Sequence, residues 1–255
     1  MTNTEFQRNA VNSTGCVSSG WELAKQHYGL FLGIGVVAIL IGVIPLVGLF
    51  LTGPLMVGIY GVYLKSMRGE PVEFSSMFEG FNKFVPAMAA GLVFSVPEII
   101  FQIVRVSIRV SSMVLDNGVR SGADDYSANA LMAGLSFLWI FLGMFFFIFG
   151  IVWRLAFFFV FPLMAERDIG PIDALKLSAN AAFANLGSLL ILLLIEVGIT
   201  LVGLLACCIG IIFVLPLVYA ANAFAYRQVF PLLNAPNPMV PPPPPSFGGA
   251  YGQGM

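Results

Sequence analysis

The stretch GLFLGIGVVAILIGVIPLVGLFLTGPLMVGIYGVYL, residues 29–64, decides the fold class because it contains no charged side chain. A helix rises about 1.5 Å per residue and the hydrocarbon core of a bilayer is about 30 Å thick, so about 20 apolar residues cross it once. The stretch is too long for one crossing and fits two. Since Pro45, Gly53 and Pro54 disfavour an unbroken helix, we expect the turn between residues 44 and 54.

The composition of the whole chain indicates a membrane protein. Of its 255 residues, 58% are hydrophobic and only 10% are charged, and the mean hydropathy is +0.92. A soluble domain of this length carries about a quarter charged residues. The net charge of -1 argues against a nucleic-acid partner, which requires a basic face. Three cysteines and one histidine, His27, give no disulfide framework and no histidine-based metal site, so we expect neither metal nor cofactor.

The hydropathy pattern predicts an all-α, polytopic bundle of about six transmembrane helices in a domain at 18–231, after a flexible N-terminus at 1–17. No removable signal peptide is expected. The spans are expected near residues 29–46, 50–66, 84–105, 131–164, 186–206 and 209–227. The region 130–165 is longer than one bilayer, which favours one long helix that is kinked, tilted or protruding. Two short crossings there, making seven in all, are the alternative.

The distribution of lysine and arginine predicts the orientation. If the N-terminus is inside, the outer loops carry only Arg105, Arg109 and Arg120. The inner segments carry Arg8, Lys25, Lys65, Arg68, Lys83, Arg167, Lys176 and Arg227. We therefore expect both termini to be cytoplasmic.

A weak internal repeat runs through the chain. GLFLTGPLMVGIYGVYLKSM at 48–67 aligns without gaps with GIIFVLPLVYAANAFAYRQV at 210–229, which matches Pro54 with Pro216. Chance similarity between apolar segments is the alternative.

The segments that precede the hairpins have the pattern of interfacial amphipathic helices. They are GWELAKQHYG at 20–29, FSSMFEGFNKF at 74–84, and the segment that begins with Gly170 and Pro171. The predicted unit is an interfacial helix followed by a membrane hairpin, repeated three times in parallel orientation.

Two isolated charges lie in the predicted spans. Arg154 occurs in GIVWRLAFFFVFP at 150–162, and Glu196 occurs in LLILLLIEVGITL at 189–201. A charge at mid-membrane costs about 2.5–3.5 kcal/mol on insertion scales, so it normally has a partner. Both residues are about 15 Å from the predicted cytoplasmic end, and we expect an Arg154–Glu196 ion pair. Glu98 is the competing partner.

This candidate intramembrane polar cluster is completed by Gln102 and Asn222, which could satisfy the remaining hydrogen bonds. Its simplest role is to fix helix register. The alternative role is a proton or substrate site, because helix breaks in corresponding units can mark the binding site of a transporter. The expected break positions are Gly53, Pro54, Pro162 and Pro216. A third possibility is that Arg154 extends to the interface.

The C-terminal residues 232–255 have a different composition. The run NAPNPMVPPPPPSFGGAYGQGM predicts a disordered Pro/Gly-rich tail, which is either simply solvated or a ligand for a groove on a protein partner. Cys207 and Cys208 are interpreted as buried small thiols, with a vicinal disulfide or metal site as the alternative.

The stretches GPLMVGIY…RGEPVEFSSMFEGF and AERDIGPIDALKLSANAAFANLGSLL resemble motifs of uncharacterised bacterial multi-pass membrane proteins. That group is similar to the membrane domain attached to some glycerophosphodiester phosphodiesterases. The resemblance covers roughly residues 18–231 and implies a bacterial cytoplasmic (inner) membrane location, but no catalytic domain.

No catalytic motif accompanies these segments. We therefore expect a non-enzymatic membrane protein of structural or partner-binding role, surrounded by membrane lipids. The alternative is a small transporter with a charged midplane site.

Overall fold

The computed structural model of the protein describes residues 6–120, 125–205 and 210–232, and within these ranges the chain is helical, with no strand. A 3₁₀ helix, Phe74–Lys83, lies between the third and fourth α-helices. The α-helices are α1 (Ser13–Gln26), α2 (Tyr28–Gly42), α3 (Pro45–Met67), α4 (Phe84–Phe94), α5 (Val96–Arg120), α6 (Asp125–Ala156), α7 (Val160–Glu166), α8 (Pro171–Ala184), α9 (Leu186–Leu205) and α10 (Gly210–Val229).

Within the described residues, four stretches of helix are long and apolar enough to cross a membrane: Val47–Met67, Phe137–Glu166, Leu186–Leu205 and Gly210–Val229. Two bent pairs of helices raise the number to six if each pair is one span. One pair is α1 with α2, which meet at 101°, and the other is the 3₁₀ helix and α4 with α5, which meet at 51°. An all-helical protein with four to six candidate spans therefore agrees with the predicted fold class.

The first hairpin turn is shorter than the sequence predicts. α2 ends at Gly42 and α3 begins at Pro45, where a proline loses no helical hydrogen bond because the first turn has no intrahelical acceptor. Gly53 and Pro54 lie inside a continuous α3, so the expectation that they form the turn and break the helix was wrong. In a membrane helix, the backbone group that a proline leaves free can be satisfied by neighbouring groups.

Two predicted helices are divided. The single helix expected at 84–105 is α4 and α5, which meet at Ser95. The second residue of α5 is Pro97, whose missing N–H suits the start of a new helix. In the long segment at 130–165, Phe137–Glu166 is one candidate span, and residues 157–159 interrupt it between α6 and α7.

The N-terminal segment is more ordered than expected, because α1 begins at Ser13 and packs antiparallel along α10. The side chain of Asn12 accepts a hydrogen bond from Gly15 N and caps the helix. Asn12 N donates to Gln228 Oε1 at 2.7 Å, and at the other end Tyr28 Oη donates to Phe213 O at 2.9 Å. α1 is therefore part of the packed helical body.

The ends of three candidate spans meet at one end of the molecule. α3 ends at Met67, α7 at Glu166 and α10 at Val229, and side chains at or beside these ends contact one another. Beneath them lie some of the largest fully buried side chains: Tyr63, Phe159, Tyr226 and Phe230. The ends of α3, α7 and α10 therefore lie on the same side of the molecule.

Candidate functional site

The predicted Arg154–Glu196 ion pair is not formed. Arg154 lies two residues before the end of α6 and its side chain is exposed, whereas Glu196 on α9 is 5% exposed. Among the described residues no ion pair joins the two, although the charge of Arg154 is near enough to act on Glu196. Equal depth in a membrane does not determine the direction in which each side chain leaves its helix.

Two other members of the predicted cluster, Glu98 and Gln102, bond to each other. Glu98 accepts a hydrogen bond from Gln102 on the same helix, at 2.9 Å, and both side chains are exposed. Asn222 on α10 is 5% exposed. Glu98 is therefore not the partner of Arg154 within the part of the chain that the structure describes.

Five buried side-chain atoms of the described residues have no hydrogen-bond partner: Tyr63 Oη, Ser66 Oγ, Arg167 Nη1, Glu196 Oε1 and Asn222 Oδ1. Burial of an unpaired polar group costs free energy, and more so for a carboxylate. The carboxyl group of Glu196 therefore has no evident role in fixing helix register.

The other two expected break positions, Pro162 and Pro216, both lie inside helices. Pro216 lies inside a continuous α10. Pro162 is the third residue of α7, so the interruption at 157–159 precedes it. Ser178 supplies hydrogen-bond partners to two backbone groups at this interruption. Its hydroxyl accepts from Phe159 N at 3.0 Å and donates to Ala156 O at 2.9 Å.

Cys207 and Cys208, like the tail from residue 233, lie outside the described residues. Within the described residues no group of three or more histidine, cysteine or acidic side chains could hold a metal ion.

A second polar site, which the sequence analysis missed, lies where the ends of α3, α7 and α10 meet. Glu166 is at its centre. Arg227 donates to both carboxylate oxygens of Glu166, at 2.7 and 3.1 Å, and Tyr226 Oη donates to one of them at 2.8 Å. Arg68 Nη1 is 3.4 Å from the other oxygen. Since Glu166 and Arg227 are only 16% and 17% exposed, this network joins the three helix ends in a partly dry environment.

A cavity of about 230 Å³ lies beside Glu166. Its apolar wall comes from α3 and from Met164, and its polar rim includes three cationic side chains: Lys65, Arg68 and Lys83. Each has an acidic partner: Lys65 Nζ is 2.7 Å from Glu79 Oε1, Lys83 Nζ is 3.0 Å from Asp168, and Arg68 pairs with Glu70.

The 3₁₀ winding of Phe74–Lys83 forms one side of this cavity. A 3₁₀ helix has three residues per turn, so positions three apart fall in one row. Ser76, Glu79 and Asn82 form such a row, and all three line the cavity. Met77 and Gly80 belong to the next row and are buried.

The carboxylate of Glu70 lies beside the guanidinium of Arg68. The hydrogen bond from Arg68 lowers the pKa of Glu70 below its ordinary value, and the positive charges of Arg68 and Lys65 act in the same direction. Deprotonated Glu70 therefore helps to hold Arg68 at the end of α3.

The sequence analysis used the basic residues of this site only to predict the orientation in the membrane. Lys65, Arg68, Lys83 and Arg227 were assigned to inner segments. The signal that could have identified the site is the presence of Glu79 and Glu166 in the same short segments, because acidic residues add nothing to the orientation rule.

No family model, characterised protein or solved structure shows a significant match to the chain.

Proposed function

We propose that this protein is a non-enzymatic integral membrane protein with a binding function, and that the cavity beside Glu166 is its binding site. The observation that carries the proposal is the concentration of charged side chains around one cavity, at the end where three spans finish. The rest of the described surface is rich in exposed large apolar side chains, which suits contact with lipid.

The proposal includes six spans, with each bent pair as one span, and both termini in the cytoplasm of a bacterial cell. The lysine and arginine bias supports this orientation, because the shared end of α3, α7 and α10 carries Arg68, Arg167 and Arg227. The resemblance to uncharacterised bacterial multi-pass proteins is part of the same proposal.

The parallel repeat also belongs to the proposal, and two features support it. Proline followed by leucine occurs in α3, α7 and α10, at Pro54, Pro162 and Pro216. Gly58 and Ala220 are matched by the internal alignment, and each is approached by a glycine backbone. A Cβ on Gly80 would lie 2.4 Å from Gly58 N, and one on Gly20 would lie 3.2 Å from Ala220 C.

Native mass spectrometry of the full chain, released from its own membranes, tests the binding function. Gly61 lines the cavity and an added Cβ there meets nothing within 4 Å, so Gly61→Trp introduces a large side chain into the cavity from an uncrowded backbone position. We expect the wild-type protein to carry a bound small molecule that Gly61→Trp lacks.

Gly187→Trp is the matched control, because Gly187 is an exposed glycine near the start of α9 with equally open surroundings. This variant should keep the bound molecule. If all three proteins carry the same molecules, or none carries any, the proposed binding function is wrong.

Thiol labelling tests the orientation. Asp168 is 98% exposed at the charged end, so Asp168→Cys in an otherwise cysteine-free chain is accessible to reagents. We expect labelling by a membrane-impermeant maleimide only after the cells are opened. Labelling in intact cells would place the charged end outside.

A small transporter is the second candidate, and Glu196 is the observation that favours it. An acidic residue that is buried in a membrane span without a structural partner is typical of proton pathways. The candidate predicts proton flux into vesicles containing the purified protein, driven by a potassium diffusion potential and followed with a trapped pH dye. Glu196→Gln should abolish the flux, and equal rates for both proteins would exclude this role.

A further inference from the structure

The two lysines at the cavity are held by partners that are easily exchanged. Asp168, the partner of Lys83, is 98% exposed, and Glu79, the partner of Lys65, is 53% exposed. Exposed ion pairs contribute about 0–1 kcal/mol, so an anion that contacts several cations at once can replace them. Glu166 differs, because Arg227 and Tyr226 hold it in a partly dry network.

The cavity also offers neutral hydrogen-bonding groups in a fixed row. Ser76 and Asn82 lie on the same side of the 3₁₀ helix as Glu79 and line the cavity. Two ammonium groups, a guanidinium, a hydroxyl and an amide around one small space form the donor set that phosphate oxygens accept from.

The position of the cavity combines this donor set with apolar surface. Val57, Leu64 and Met164 line its inner part, and the candidate span Val47–Met67 ends at its rim. The volume of about 230 Å³ is several times the roughly 30 Å³ that one water occupies in the liquid. The cavity can therefore accept a headgroup that is attached to an apolar chain.

We infer that this cavity binds a phosphate ester, with its oxygens on Lys65, Lys83 and Arg68. The apolar wall and the position at the end of a span favour the headgroup of an anionic phospholipid as the source of the phosphate. The inference rests on the proposed binding function and adds the chemical class of the ligand.

Calorimetric titration of the delipidated full chain in detergent tests the inference. The probes are dihexanoyl-phosphatidylglycerol, dihexanoylglycerol, which lacks the phosphate, and inorganic phosphate. We expect the phosphatidylglycerol to bind and the dihexanoylglycerol not to bind. Added salt should weaken the binding, because the rim charges are partly exposed.

Two changes of different kinds keep the test independent of folding defects. Gly61→Trp introduces a large side chain into the cavity, and the double variant Lys65→Gln/Lys83→Gln removes two cations from its rim. Both should weaken binding of the phosphatidylglycerol about tenfold or more, or about 1.4 kcal/mol.

The charge-matched control is Lys25→Gln/Lys176→Gln, which removes two exposed lysines that do not line the cavity. It should bind within about twofold of the wild type. Unchanged size-exclusion profiles and helical circular dichroism establish that each variant is folded.

The inorganic phosphate arm distinguishes the two sources. Binding of phosphatidylglycerol alone assigns the phosphate to lipid, and equally tight, lysine-dependent binding of inorganic phosphate assigns it to a soluble ligand. Binding of the phosphatidylglycerol that neither Gly61→Trp nor the double lysine variant changes would overturn the inference. A cavity-dependent ligand without phosphorus in native mass spectrometry would overturn it too, but would leave the proposed binding function intact.

Discussion

Gly58 of α3 and Gly80 of the 3₁₀ helix meet backbone to backbone, so that a Cβ added to Gly80 would lie 2.4 Å from the amide nitrogen of Gly58. In the other direction, a Cβ on Gly58 would lie 1.7 Å from Met77 O. No side chain can fit between the two segments without moving the backbone. This contact places the polar row of the 3₁₀ helix against α3 and so forms one side of the cavity.

Gly58→Ala should therefore destabilise the protein. Overpacking of a tight contact costs about 1–3 kcal/mol, which exceeds the gain of up to about 1 kcal/mol from replacing glycine by alanine within a helix. Unfolding of the detergent-solubilised protein by heat or by dodecyl sulfate measures the change.

Gly61→Ala provides the control on the same helix, because a Cβ there meets nothing within 4 Å. It should leave the free energy of unfolding unchanged or raise it slightly. Equal destabilisation by both substitutions would show that the close contact does not exist.

Glu166→Gln should lower the free energy of unfolding by about 2 kcal/mol, because it weakens charge-assisted hydrogen bonds in a partly dry site. Arg227 would lose its bidentate partner, and Arg68 would lose a nearby carboxylate. Thermal unfolding in detergent measures the loss.

The control for this change is Glu22→Gln, which removes the exposed ion pair between Glu22 and Lys25. It should change the free energy of unfolding by less than about 0.5 kcal/mol. If Glu166→Gln is as mild as this control, the network does not hold the three helix ends together.

Arg154 and Glu196 should be only weakly coupled. Because they form no ion pair, Arg154→Met and Glu196→Gln should have additive effects on unfolding, to within about 0.5 kcal/mol. A double-mutant cycle measures this. A double variant that restores stability lost in both single variants would instead establish the ion pair that the sequence suggested.

The contact between Arg68 and Glu70 should depend on pH. Because the pKa of Glu70 is lowered in the folded protein, its contribution to stability is fully present above the ordinary glutamate pKa of about 4.3. The contribution is lost as the pH falls through the lowered pKa.

Thermal unfolding of the wild type and of Glu70→Gln between about pH 7 and pH 3 measures this dependence. The difference between the two proteins should be small, since Glu70 is exposed, and should decrease toward the acidic end. A difference that grows as the pH falls would contradict the assignment.

The sequence predicted those parts of the fold that hydropathy and backbone chemistry determine. The long apolar stretches became candidate spans, and the pair Gly170 and Pro171 marked the start of α8. Apolar length has a direct physical cause, since a helix must match the thickness of the hydrocarbon. The preference for proline in a first helical turn also has a direct physical cause, because proline leaves no N–H donor without a partner there.

Side-chain direction could not be predicted in the same way. The depths of Arg154 and Glu196 follow from residue counts, but the faces on which they lie depend on the interruption at 157–159 and on the packing of α9. The cavity was missed for a related reason. Its rim needs the 3₁₀ winding of Phe74–Lys83, and the sequence of that segment also fits an ordinary amphipathic helix.

The three-residue turn of Phe74–Lys83 makes this segment intolerant of changes in length. Removal of one residue between Ser76 and Asn82 would rotate every following side chain by about 120°, and would turn Asn82 and Lys83 away from the cavity. The same deletion in the connection at 69–72 would shorten a linker and preserve the row. Natural insertions and deletions in related chains should therefore occur before Phe74 and be absent from the 3₁₀ helix itself.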